Sequence, residues 1–184
     1  MKKAIVGAIL FAMLLGSAFA ASTDTEQMTI RVQVAFVGIT LYESDGSTPY
    51  DTWNIGVTDE SAADAMAVAD HIEAKNDGNC AIDLYLYSDD VTDLSGCTFG
   101  TPTNWSPGAA IGTDVYKLEC GIGTDAAQPG SYTTCPNSSA DGTLIDSDVA
   151  AAATSHMYLM FTTPSSSSDG CQHDATVSVL AKVH

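Results

Sequence analysis

Basic side chains are scarce: six Lys and Arg stand against 23 Asp and Glu in 184 residues, a formal net charge of −17 at pH 7. A field of that sign repels nucleic acid and anionic lipid, so neither is expected as a partner. The short patterns that carry common chemistries are missing too. There is no Cys-x-x-Cys and no His at a zinc-ligand interval after a Cys, which removes the usual redox and zinc-finger motifs. There is no His-Glu-x-x-His and no Gly-x-Ser-x-Gly, and His71, His156, His173 and His184 are scattered, so they read as surface or strand-end residues. Cys171 and His173, two apart on an extended segment, are too widely separated for a nucleophile and its base. Carboxylates are so abundant that no acid–base pair is specified. The expectation is a protein that is not an enzyme.

Long apolar runs are also lacking, with one exception at the start. Lys2 and Lys3 precede an uncharged stretch from Ala4 to Leu15, and small residues follow to Ala18-Phe19-Ala20. This is the plan of a cleaved secretory signal over residues 1–20, with a cut before Ala21 and a run too short for a comfortable membrane span. The expected product is secreted, extracellular or at the cell surface, with no membrane contact after cleavage. Losing Lys2 and Lys3 leaves four basic against 23 acidic residues, a net −19. Most carboxylates must then be solvated, screened by salt or neutralised by cations.

The remaining residues, 21–184, suffice for one domain with a real core. Their patterning is that of strands. Met28, Ile30, Val32, Val34 and Phe36 alternate with polar or small residues, and the apolar set then shifts to Val37, Ile39 and Leu41, as at a β-bulge or a crossing between sheets. Further alternating runs cover Trp53 to Val57, Cys80 to Tyr87, Val115 to Cys120, Met157 to Phe161 and Ala175 to Val183, separated by Gly, Ser, Pro and Asp clusters such as Asn76-Asp77-Gly78-Asn79. The fold class expected is all-β, an antiparallel β-sandwich of jelly-roll or Ig-like type. Ser61 to Lys75 is Ala-rich and reads as a short helix followed by a strand near Ile72, and Asp146 to Thr154 as a helical turn capped by Asp146 or Ser147.

Five cysteines in an exported chain point to disulfides. Cys120 and Cys135 flank a Gly-, Pro- and Ser-containing excursion and are the first pair expected, and closing a loop of that length contributes about 3 kcal/mol. Cys80 with Cys97 is the second local option, which leaves Cys171 over. No cofactor is specified, although Asp89, Asp90 and Asp93, grouped just after a strand, suit Ca²⁺, and Asp141, Asp146 and Asp148 form a second acidic group. Neither follows the EF-hand spacing. Asn104-Trp105-Ser106 and Asn137-Ser138-Ser139 fit the N-glycosylation pattern, and Trp53, Trp105, Tyr85 and Tyr87 are candidates for an aromatic sugar-binding platform.

The first strand directly after the signal, the Asn76-Asp77-Gly78-Asn79 turn into Ala81-Ile82-Asp83-Leu84-Tyr85-Leu86, and the ending from Phe161-Thr162-Thr163-Pro164 through Thr176-Val177-Ser178-Val179 resemble secreted sandwich subunits of filaments and surface layers, the TasA/camelysin-like biofilm fibre proteins and archaeal bundling pilins. The resemblance implies a homopolymer in which the N-terminal strand completes a neighbour's sheet. The function expected is a structural subunit of an extracellular filament, pilus-like fibre or surface array, with Met28, Ile30, Val32, Val34 and Phe36 on the assembly strand. The same run also suits the first strand of the chain's own sandwich. The alternative function is a monomeric secreted carbohydrate- or partner-binding module using Trp53, Trp105 and the Asp-rich loops.

Overall fold

The computed structural model describes residues 30–91, 93–135 and 142–184. The expected signal and its cleavage site, Met28, Asp141 and the Asn137 sequon lie outside them. Backbone contacts separate Met1–Gln33 from a body spanning Val34–His184. Apart from one 3-10 turn at Val68–Asp70, regular structure among the described residues is entirely strand: β1 (Ile39–Tyr42), β2 (Ala63–Ala65), β3 (Ile72–Asn76), β4 (Ile82–Ser88), β5 (Asp93–Ser95), β6 (Ser106–Pro107), β7 (Val115–Ile122), β8 (Thr133–Thr134), β9 (Thr143–Val149), β10 (Thr154–Thr162), β11 (Gln172–Asp174) and β12 (Val177–Val183). No helix among these residues is long and apolar enough to cross a membrane.

The body is an all-β, sandwich-like fold. One sheet runs β1-β3-β10-β7-β6, with β2 beside β10 and β8 beside β7, and a second runs β12-β4-β9. Alternation decides which side chains lie between them. β4 turns Ile82, Leu84 and Leu86 inward and Asp83, Tyr85 and Tyr87 outward, while β7 turns in Tyr116, Leu118 and Cys120. Ile72 and Ala74 of β3, Met157 and Leu159 of β10 and Val149 of β9 complete the same core. Each large aliphatic side chain buried here contributes about 1.5–3 kcal/mol.

Polar groups enter this interior only with partners. Asn76, fully buried, accepts the Gly78 N–H through Oδ1 and donates through Nδ2 to the carbonyls of Cys80, Val149 and Ala150. One side chain thus joins the β3–β4 turn to the β9–β10 turn.

Four expected elements differ in whole or in part from what forms. The Ala-rich stretch gives the expected strand from Ile72 as β3, whose Ile72, Ala74 and Asn76 reach the core by pairing with β1 and β10, but the helix before it is replaced by β2 and the 3-10 turn. The expected helical turn from Asp146 is instead the second half of β9, drawn into the ladder with β4. Ile30 to Phe36, the described part of the run read as the first strand, form no strand and have no ladder partner, and the Trp53 to Val57 run is likewise unpaired.

Two disulfides are present, Cys120–Cys135 and Cys97–Cys171. Cys80 does not pair with Cys97 and is the free thiol. The reason is the small β5–β11 sheet, whose register sets Ser95 opposite Gln172 and so brings Cys97 to Cys171 across 74 residues. Bridged, Cys171 has no thiolate to offer as a nucleophile.

Candidate functional site

The inward residues of β3 and β10 fill the core, which leaves the opposite face of the same two strands to Glu73 and Lys75 on β3 and to His156 and Tyr158 on β10. The ladder sets His156 directly across from Glu73. Side chains so placed approach within about 5 Å at Cβ. His71, two residues before Glu73, shares its side of the strand and stacks on the Tyr158 ring, with centroids 5.2 Å apart and 20° between planes.

The excursion between Cys120 and Cys135 folds back over this face. A tight turn closes it at residues 124–127, where the Thr124 N–H donates to the Ala127 carbonyl at 2.8 Å and the Ala127 N–H returns to the Thr124 carbonyl at 3.2 Å. The Tyr158 hydroxyl donates to the Thr124 carbonyl at 2.6 Å, and Gln128 donates to the Met66 carbonyl at 2.6 Å. Close approach needs Gly123, since a Cβ there would run into the Ala127 carbonyl and the Tyr158 ring. Burial first, then the charges of Asp125 and Tyr132, push the Tyr158 phenol up, so it remains a protonated donor at neutral pH.

Four potential ligands converge beneath this turn. One donor atom from each of His71, Glu73, Asp125 and His156 lies within 4.8 Å of all the others. His71 is fully buried, and its Nδ1 lies 2.7 Å from the Val68 carbonyl. A carbonyl only accepts, so Nδ1 carries the proton, and in the neutral ring Nε2 holds the lone pair. That Nε2 is 3.1 Å from His156 Nδ1, 3.9 Å from Glu73 Oε1 and 3.9 Å from Asp125 Oδ1. The Glu73 side chain is 15% exposed and that of Asp125 is 74% exposed. Lys75, two residues along β3 from Glu73, is engaged elsewhere, with Asp77 at 3.3 Å.

The scattered histidines of the sequence are therefore not all surface residues: two of them, 85 positions apart, meet side by side. The available sequence signal was His71-x-Glu73 on one alternating strand. What it lacked was the register that delivers His156 and the turn that delivers Asp125.

The residues singled out from the sequence are dispersed. Trp105 stacks on His173 with centroids 3.8 Å apart, and its indole N–H is buried without a hydrogen bond, so it is engaged in packing. Trp53 lines a shallow pocket with Glu43, Tyr50, Thr52, Asn54 and Asp70. Tyr85 carries the Lys182 ammonium 4.4 Å above its ring. Asn104 is exposed. Asp89 and Asp90 follow β4, where the Asp89 carbonyl accepts the Tyr116 hydroxyl at 2.8 Å. Asp93 opens β5, and its side chain lies outside the described set. Of the assembly residues, Ile30, Val32, Val34 and Phe36 are all exposed.

Compared with known protein families, with curated proteins and with solved structures, the chain matches none. Its chemistry is read from its own side chains.

Proposed function

We propose that the protein is a secreted, non-enzymatic structural subunit of an extracellular filament, pilus-like fibre or surface array, and that copies join through their N-terminal segments. The observation that supports this reading is the alternating stretch Ile30, Val32, Val34 and Phe36, which belongs to no strand ladder among the described residues and whose residues are 75%, 79%, 79% and 60% exposed. Large apolar side chains left in water on alternate positions suit a strand that completes a sheet in another copy, where backbone bonds give affinity and alternate side chains fill pockets. Asn79 fixes the point of departure. Its Oδ1 accepts the Phe36 N–H at 2.7 Å and its Nδ2 donates to the Val34 carbonyl at 2.9 Å, which copies one rung of an antiparallel ladder.

The acceptor best suited is β12, the end strand of the three-stranded sheet, which runs in unbroken register with β4 over seven residues. The opposite end strand, β9, is interrupted by register shifts, a feature that discourages edge pairing. The resemblance to biofilm fibre subunits and bundling pilins points the same way, and two disulfides suit an oxidising compartment. Polymer of such acidic subunits requires counter-cations, with Ca²⁺ at Asp89, Asp90 and Asp93 one source of screening.

The test is electron microscopy with light scattering on the purified protein and on an Ile30→Asp, Val32→Asp variant lacking residues 21–27. Regular fibres from the parent and a folded, dispersed monomer from the variant are expected. Dispersed parent protein that binds glycans, or global unfolding of the variant, would overturn the reading, the first in favour of a binding module centred on Trp53.

A further inference from the structure

We propose that His71, Glu73, Asp125 and His156 bind one divalent transition-metal ion of the Zn²⁺ class, and that the ion ties the 124–127 turn to the outer face of the sheet. The inference is independent of how the subunits assemble. His71 is prepared for ligation: its Nδ1–H is spent on the Val68 carbonyl, which orients the ring and leaves the Nε2 lone pair directed at the cluster. Around a tetrahedral Zn²⁺ with bonds of about 2.0–2.1 Å, ligand atoms stand about 3.3 Å apart. The His71 to His156 separation of 3.1 Å and the two His71 to carboxylate separations of 3.9 Å bracket that value. The remaining pairs lie within 4.8 Å, and Asp125, on an exposed turn, is the ligand free to close the difference.

Charge and donor type choose the ion. Two neutral imidazoles and two carboxylates neutralise a dication, and Lys75 is paired with another carboxylate. Among the described residues no hydrogen bond reaches the Glu73 carboxylate, although that side chain is largely withdrawn from water. A carboxylate so placed is costly unless something positive meets it. Imidazole nitrogen suits Zn²⁺, Cu²⁺ or Ni²⁺, whereas Ca²⁺ takes six to eight oxygens. Without the ion, His156 donates its Nδ1–H to His71 Nε2. With it, that proton passes to His156 Nε2 on the half-exposed ring, and both facing lone pairs become available, with no net change in protons.

The test is calorimetric titration of the EDTA-stripped protein with ZnCl₂, alongside His156→Gln, Asp125→Asn and the double variant. One Zn²⁺ per chain is expected, undisturbed by excess Ca²⁺, with Co²⁺ giving the intense visible bands of a tetrahedral site. The single variants should weaken Zn²⁺ binding by about 10- to 100-fold while keeping the metal-free melting temperature. Absence of a stoichiometric ion would overturn the proposal. So would unchanged affinity in the double variant, which would place the ion on the acidic surface. If His156→Gln fails to fold, the exposed Asp125→Asn decides the outcome by itself.

Discussion

His71 and His173 both have buried side chains and both have a carboxylate nearby, yet their surroundings are finished to different degrees. His173 Nε2 lies 2.9 Å from Asp169 Oδ1, and the remaining capacity of Asp169 is filled by the Thr103 N–H at 2.6 Å and the Cys171 N–H at 3.1 Å. Trp105 covers the ring. There both carboxylate oxygens are used inside the fold, although His173 Nδ1 is buried without a hydrogen-bond partner. At His71 only Nδ1 is used for architecture, while Nε2 faces a second imidazole and two carboxylates. The difference teaches that burial alone does not separate a structural histidine from a ligating one. What separates them is whether the acceptors around the ring are already satisfied.

The most damaging way to break the comparison is at the finished site. Asp169→Ala strands two backbone N–H groups and the His173 N–H in the interior, and the expected loss is about 3–5 kcal/mol in chemical denaturation. The same residue sets a pH dependence. Burial would raise its carboxyl pKa, but the Thr103 and Cys171 amides and His173 outweigh burial and hold it below the ordinary 3.8. A depressed carboxyl stabilises fully above the unfolded value, and the contribution is lost as pH falls through the folded value. Acid unfolding of the parent should therefore steepen below the ordinary carboxylate range, and Asp169→Ala should remove that part of the slope. A variant as stable as the parent would show that the pair is dispensable.

Next in size is the bridge that staples the excursion over the open site. Cys120→Ser with Cys135→Ser releases a loop whose ends are 15 positions apart in sequence, for an expected loss of about 3 kcal/mol. Because Asp125 rides on that loop, Zn²⁺ binding should weaken as well, whereas the Asp169 contribution to acid unfolding should not change. Loss of stability with full Zn²⁺ affinity would show that the turn holds its place without the bridge.

The fold was legible where alternation ran long enough. β4, β7, β10 and β12 each overlap an alternating run in the sequence, because a half-buried strand writes its two faces as a period of two. Strands of two or three residues, such as β5, β8 and β11, write no period, so the β5–β11 pairing and with it the Cys97–Cys171 bridge could not be read. The same limit hid the ligand cluster. His71 and His156 meet through the β3–β10 register, and Asp125 arrives on a turn whose placement depends on Gly123 and Tyr158. The run from Ile30 to Phe36 errs in the other direction, since alternation reports two unlike faces and does not guarantee a partner strand among the described residues.

The smallest expected effect is also the most discriminating, because it separates the two services of a single residue. Tyr158 stacks its ring on His71 and donates its hydroxyl to the Thr124 carbonyl, one residue before Asp125. Tyr158→Phe keeps the ring and deletes the donor, so the core and the His71 orientation should survive. A lost hydrogen bond of this kind costs about 1 kcal/mol, well below the loss expected at Asp169. If Tyr158 positions the turn, Zn²⁺ affinity should fall several-fold while the His71–His156 pair stays intact, as judged from the imidazole signals in NMR. A Phe variant that loses the expected stability but binds Zn²⁺ as the parent does would remove Tyr158 as a positioning residue and leave Asp125 to be placed by Gly123 and the Cys120–Cys135 bridge.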